Sequence, residues 1–132
     1  MANDQIQTSQ RSSERKKILL ICRQAPYGST LARAALDVAL AGAAFEQDLS
    51  LLFMDDGVWQ LLPQQRAGAI GHKSIEATLQ SLPLYDLDTF HVEGESLQQR
   101  SLETGQLSGN VVVLTQEELP AFIDSHDQVI GF

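Results

Sequence analysis

Ile18-Leu19-Leu20-Ile21-Cys22-Arg23-Gln24-Ala25-Pro26-Tyr27-Gly28-Ser29-Thr30 sets the reading of the whole chain. Five apolar residues in a row, with no polar alternation, fit a strand covered on both faces, as strands of parallel sheets are. Pro26 and Gly28 then mark a loop. Ser29 or Thr30 offers a side-chain oxygen to cap a following helix. That helix is expected from about Leu31 to Gln47, with Leu31, Ala35, Val38, Gly42 and Phe45 on one face. Seven alanines lie between Ala32 and Ala44. Side chains this small let a helix approach a sheet and a neighbour closely, which points to burial on more than one side and suits a subunit contact.

The strand–loop–helix unit then recurs with variations. Leu51-Leu52-Phe53-Met54 reads as a second buried strand ending in the turn signal Asp55-Asp56-Gly57. Val58 to Leu62 is an apolar turn, and Pro63 to Gly71 is loop-like. Lys73 to Leu82 has helical spacing with Ile75, Leu79 and Leu82 together, and Pro83-Leu84-Tyr85-Asp86 ends it. Thr89-Phe90-His91-Val92 is a short strand, and Ser96 to Leu102 a short helix. Val111-Val112-Val113-Leu114 is a β-branched strand. Thr115 and Glu118 have capping-box spacing, and Pro120 requires the regular helix to begin near it. Val129-Ile130-Gly131-Phe132 closes a set of five strands. Strands alternating with helices predict a single α/β domain with a mostly parallel five-stranded sheet and helices on both faces, in a flavodoxin-like layering. Residues 1–16 read as a disordered polar leader and 17–132 as the domain.

The chain has 132 residues, enough for one domain, with ordinary globular proportions of apolar and charged residues. No apolar run is long enough to cross a bilayer, and no apolar signal core precedes the first strand. One cysteine can form neither an internal disulfide nor a cysteine-rich zinc site, and a cytoplasmic setting is expected. Charge is uneven. The net value is −8, yet residues 1–33 hold six basic and two acidic side chains, and residues 34–132 hold three basic and fifteen acidic ones. A body this acidic repels a phosphate backbone, so direct binding of nucleic acid is not expected. Arg11, Arg15, Lys16 and Lys17 read as a solubilising lead-in to the first strand.

In parallel α/β folds the loops after the strand C-termini carry function, here beginning at Arg23, Asp55, Glu93 and Thr115. They contain no GxGxxG and no Gly-Lys-Ser/Thr phosphate loop, which weighs against a stand-alone binding module for a small anionic ligand. His72, His91 and His126 have no second ligand at metal spacing, so no metal and no cofactor is expected. Ser29, His126 and Asp55 could be written as a triad, but no nucleophile-elbow motif supports it. Cys22 stands near a strand end and could carry sulfur as a persulfide. It also continues an aliphatic run, and burial as a core residue is the preferred reading. Asp55, Asp56 and Gly57 read as a strand-ending turn in which the Asp side chains cap the following amides, with contact to a partner as the second reading. Trp59, Tyr27 and Tyr85 are candidate interface anchors.

The blocks Ala25-Pro26-Tyr27-Gly28-Ser29, Phe53-Met54-Asp55-Asp56-Gly57-Val58-Trp59-Gln60-Leu61-Leu62, Leu82-Pro83-Leu84-Tyr85-Asp86, Ser96-Leu97-Gln98-Gln99-Arg100 and Asp127-Gln128-Val129-Ile130-Gly131-Phe132, in this order, resemble the TusC/DsrF family, a branch of the DsrE/DsrF-like sulfur-relay proteins. The resemblance spans about residues 17–132. It implies a small α/β subunit that joins TusB-like and TusD-like homologues in a dimer of heterotrimers. Persulfide sulfur would pass from a TusA-like donor through the TusD-like subunit to a TusE-like acceptor and on to 2-thiouridine at the tRNA wobble position. The DsrEFH version would serve sulfur oxidation. Some TusC-like relatives carry a cysteine where this chain has Glu93, and a carboxylate cannot hold a persulfide. The resemblance therefore implies a structural subunit that does not carry sulfur, with Tyr27, Asp55, Asp56, Gly57, Trp59 and Tyr85 as interface candidates.

Overall fold

A computed structural model describes residues 16–26, 30–63 and 70–132, with side chains from residue 75 onward in the last segment. The strands are β1 (Lys17–Cys22), β2 (Asp48–Phe53), β3 (Thr89–Glu93), β4 (Asn110–Leu114) and β5 (Gln128–Gly131), and the helices are α1 (Leu31–Ala44), α2 (Ile70–Ser81), α3 (Gly94–Gln99) and α4 (Glu118–Asp124). Short 3-10 turns span Asp55–Leu61, Leu82–Tyr85 and Thr104–Gln106.

The five strands form one sheet in the order β4-β3-β2-β1-β5, and every neighbouring pair is parallel. The handedness of parallel crossovers explains the layers. From β1 to β4 the chain steps always in one direction, so its helices fall on one face. From β4 it jumps back past β1 to place β5, so α4 falls on the other. Strand side chains alternate between these faces. Leu20, Cys22, Leu51, Phe53, Phe90 and Val92 join the larger core with Ala32, Ala35, Leu36, Ala39, Ile75, Leu79, Leu82 and Leu97. Leu19, Ile21, Leu52 and Leu114 form a smaller core with Met54, Leu119, Phe122 and Ile123. The large core is anchored by an edge-to-face contact of Phe53 and Phe90, with ring centroids 6.0 Å apart.

Several sequence expectations change in detail: α2 begins at Ile70, inside the stretch expected as a loop, and ends at Ser81; α3 spans Gly94–Gln99 and stops short of Leu102; Met54 and Phe132 lie just outside β2 and β5; and Thr30 stands at the N-cap of α1 without a side-chain capping hydrogen bond. Two further changes concern α1. First, α1 ends at Ala44, because Glu46 turns left-handed at φ 59°. The Gln47 and Glu46 amides then bond back to the Gly42 and Ala43 carbonyls, a Schellman-type stop built without glycine. Second, the buried face of α1 is Ala32, Ala35, Leu36, Ala39 and Ala43, about a quarter turn from the expected one. Leu31 (46% exposed), Val38 (43%) and Phe45 (79%) point outward. The alanines bring the helix close to the sheet and leave its larger side chains on the outer side. The capping box before α4 is as expected: the Glu118 amide donates to Thr115 Oγ1 at 3.2 Å and the Thr115 amide to Glu118 Oε1 at 3.0 Å. Pro120 sits within the first turn of α4, where its missing N–H costs nothing.

Candidate functional site

All strands being parallel, their C-terminal ends lie along one edge of the sheet, and the loops there are tied into a single cluster. Gly57 is the pivot. A Cβ at this position would lie 1.8 Å from the Cys22 carbonyl oxygen, so only glycine lets the turn after β2 pack on the end of β1. The Met54 amide donates to that same carbonyl at 3.1 Å. Asp55 adopts a left-handed conformation at φ 51°, which Asp tolerates better than most residues. Its amide donates to Ser96 Oγ at 2.8 Å. Ser96, fully buried at the start of α3, in turn donates its hydroxyl proton to the Glu93 carboxylate. Arg100, one turn further along, reaches Asp56 Oδ1 through Nη2 at 2.9 Å and Nε at 3.2 Å, and donates from Nη1 to the Ser96 carbonyl at 3.2 Å. Arg23 stands 3.9 Å from Asp55 across the β1 loop. Buried Gln60 donates to the Gln24 carbonyl at 2.8 Å.

The Asp side chains therefore do not cap the following amides, as the turn reading expects. They face outward and pair with Arg23 and Arg100, because the left-handed turn at Asp55 directs its amide to Ser96. Of the interface candidates, Asp55 and Asp56 are exposed here, Trp59 is half-buried and Gly57 is buried. Tyr85 lies at the opposite end of the sheet, before β3, and is 47% exposed. Tyr27 lies outside the described residues, as do Ser29 and the side chain of His72. The written triad does not assemble. His126 sits beside the start of β1, where the neighbouring Asp127 amide donates to the Lys17 carbonyl at 2.8 Å, while Asp55 is at the far edge.

Cys22 is 1% exposed, and burial pushes its thiol up to about 12. A thiolate is the reactive form, and this site withholds it. Because the folded value lies above the unfolded one, this group's contribution to stability is complete below the ordinary thiol range and is lost as pH rises from about 9 towards 12. A water-soluble maleimide at pH 8 is accordingly expected to leave the folded chain unlabelled within hours and to label it fully in denaturant, as read by intact mass.

Ser96, Glu93 and Arg100 are the working polar residues of this edge. The block Ser96-Leu97-Gln98-Gln99-Arg100 hinted at two of them, by setting Ser96 and Arg100 one helical turn apart, and Glu93 stood out as the start of a strand-end loop. A second feature escaped sequence reading. On the α4 face, His91 packs on Phe122 with ring centroids 4.3 Å apart, and Phe122 on His126 at 4.9 Å. Burial holds the His91 value below the ordinary imidazole range. Among the described residues no group of three His, Cys, Asp or Glu could hold a metal ion. No helix among them is long and apolar enough to cross a membrane.

The result is a parallel α/β domain with its strand-end loops locked by hydrogen bonds and its one thiol sealed in the core. The chain belongs to the DsrE/DsrF-like family, whose model matches residues 16–132. It is 40% identical over 115 residues to the protein TusC homolog of Pseudomonas aeruginosa, covering 87% of this chain and 97% of that one. It is 42% identical over 92 residues to the intracellular sulfur oxidation protein DsrF of Allochromatium vinosum, covering 70% and 68%. Protein TusC of Klebsiella pneumoniae is 34% identical over 118 residues, covering 89% and 99%. Among solved structures, the ychN protein from E. coli superposes with a TM-score of 0.70 at 26% identity, covering 89% of this chain and 99% of that one.

Proposed function

We propose that this chain is a TusC-like subunit of a sulfur-relay complex and supplies shape and contact surface to it without carrying sulfur. The observation behind this reading is the state of Cys22: the only cysteine of the chain is sealed in the core, and the last position of β3 holds Glu93, engaged by Ser96. Similarity to TusC proteins over nearly the whole domain supports the relay. Its partners are TusB-like and TusD-like homologues in a dimer of heterotrimers. The TusD-like subunit receives persulfide sulfur from a TusA-like donor and passes it to a TusE-like acceptor for 2-thiolation of the tRNA wobble uridine, in the cytoplasm. The outward stripe of α1 suits assembly. Leu31, Ala34, Val38, Ala41 and Phe45 recur at spacings of three and four, the seam that a partner helix packs against. Asp55, Asp56, Trp59 and Tyr85 flank further contact surface, and Gly57 sets the turn that presents the first two.

A second reading, a DsrF-like subunit of a sulfur-oxidation complex, is favoured by the similarity to DsrF and uses the same surfaces. Co-expression with TusB-like and TusD-like chains tests the assembly. One species of heterohexameric mass on size-exclusion chromatography with light scattering is expected. A chain that elutes alone beside both partners overturns the proposal. Thiolation by the complex is expected to survive Cys22→Ala, and loss of thiolation with the complex intact would return the sulfur to this chain.

A further inference from the structure

The smaller core is closed by α4, a helix of seven residues. Two turns of helix are marginal in water by themselves. α4 is held because Leu119, Phe122 and Ile123 pack on Leu19, Ile21, Leu52 and Leu114. Phe122 is also the middle of a row of three rings. On one side is His91 of β3, with ring centroids 4.3 Å apart, and on the other is His126, one turn further along, at 4.9 Å. The relay described above gives these two imidazoles no task.

The two rings differ in how they are satisfied. His126 stands just past the end of α4, and its Nδ1 donates to the Phe122 carbonyl at 2.8 Å. A positive charge there faces the carbonyl end of the helix, which favours it. His91 is half-buried on the sheet between its register partners Leu52 and Val112. Its Nδ1 is shut off from solvent and has no hydrogen-bond partner among the described residues. Once the ring takes up a proton, both of its nitrogens are donors. Nδ1 then carries a charged N–H with no acceptor, which costs far more than an idle lone pair. The Phe122 ring attracts a cation, but this is the smaller effect.

The charged groups on this side of the sheet do not relieve that cost. By strand alternation they are Lys17 on β1, Asp48 on β2 and Glu93 on β3, while β4 and β5 have none. Lys17 and Asp48 are exposed at the N-terminal ends of their strands, and Glu93 is engaged by Ser96. From α4 come Glu118, which accepts the Thr115 amide, exposed Asp124, and His126 beyond the last turn. Asp127 accepts the Lys17 amide. Burial opposes a charge on His91 most strongly, the Leu51 carbonyl favours one, and His126 opposes it.

We propose that His91 is an acid-operated latch for α4: a proton on its ring drives it away from Phe122 towards water, and the helix lifts from the sheet and opens the apolar face of Leu19, Ile21, Leu52 and Leu114. The larger core stays closed. Its one buried titratable side chain among the described residues is Cys22, whose thiol is neutral in acid. The direction of the effect follows from the folded His91 value, which lies below the unfolded one. The hold on α4 is complete above the ordinary imidazole range and weakens as pH falls through it. One such group can loosen the helix by at most about 30-fold between pH 7.5 and pH 5.

Amide hydrogen exchange on the full chain at these two pH values, corrected for the intrinsic rate, tests the latch without any relay partner. Amides of residues 119–126 are expected to lose about 5- to 30-fold in protection. Those of residues 51–53 in β2 should keep theirs. His91→Phe leaves a ring against Phe122 that cannot take a proton, and its α4 should show no loss. His126→Gln removes the opposing charge and should raise the titration midpoint of His91, read from its Cε1 proton by NMR. Equal protection of α4 at both pH values overturns the proposal. So does a loss that persists in His91→Phe, or one that β2 shares, which is acid unfolding of the whole domain. Where His91→Phe does not fold, the unaltered chain decides. A His91 midpoint at or above about 6.5 overturns the latch, and a lower midpoint with α4 loosening over the same range upholds it.

Discussion

Gly57→Ala is expected to destabilise the chain by roughly 3 kcal/mol, seen as a fall in melting temperature of about 10 °C for a domain of this size. The added methyl would lie 1.8 Å from the Cys22 carbonyl oxygen and 2.6 Å from its carbon, and both are backbone atoms of β1, a strand paired on both sides, that no rotamer change can move. Relief requires lifting the 3-10 turn off the end of β1. That movement breaks the Met54 to Cys22 hydrogen bond and carries Asp55 away from buried Ser96, leaving the serine without the amide it accepts from. Gly105→Ala is the control: nothing stands within 4 Å of its Cβ position, and its effect should stay within about 0.5 kcal/mol. Thermal and urea denaturation followed by circular dichroism read both. A Gly57→Ala chain as stable as the parent would mean that the loops are not locked as described.

Val38→Asp is expected to weaken assembly with partner subunits at least about 100-fold, since burying an unpaired carboxylate in an apolar helix seam costs several kcal/mol. The isolated chain should be nearly unaffected. Val38 is 43% exposed on the outer side of α1, Val and Asp have similar helix propensity, and surface changes of this kind usually fall within about 0.5 kcal/mol. This separation makes the variant informative: loss of the complex with an unchanged melting temperature locates the interface on α1. Full assembly by the variant would move the interface elsewhere, most plainly to the Asp55–Trp59 edge.

The fold was legible because its strands are runs of apolar residues, and such runs have few alternatives to a sheet covered on both sides. Ile18 to Cys22 and Val111 to Leu114 lie in strands as expected, and so do Leu51 to Phe53, whereas Met54, expected to end the second strand, lies beyond it. The face of α1 was not legible, because a helix rich in alanine has weak periodicity. Whether Leu31, Val38 and Phe45 or the alanines face inward depends on how close the sheet lets the helix come, and local sequence does not contain that distance. The site divides the same way. Burial of Cys22 follows from its neighbours in the strand. The link from Asp55 to Ser96 joins residues 41 apart, and no spacing rule predicts it. Nor does any pattern in Thr89 to Glu93 foretell that His91 will pack on Phe122.

The placing of β5 has a consequence for how the polypeptide is made. Lys17 bonds to Asp127 across 110 residues, and the Phe132 amide donates to the Ile21 carbonyl while its own carbonyl receives the Arg23 amide. During synthesis, β1 can acquire β2 as its neighbour early but must wait for almost the entire remaining length to emerge before its second flank is filled. Until then the nascent domain displays a long, apolar, half-paired strand. Ribosome-bound chains arrested near Leu114 should therefore be the species most readily held by a chaperone or captured by a homologous subunit.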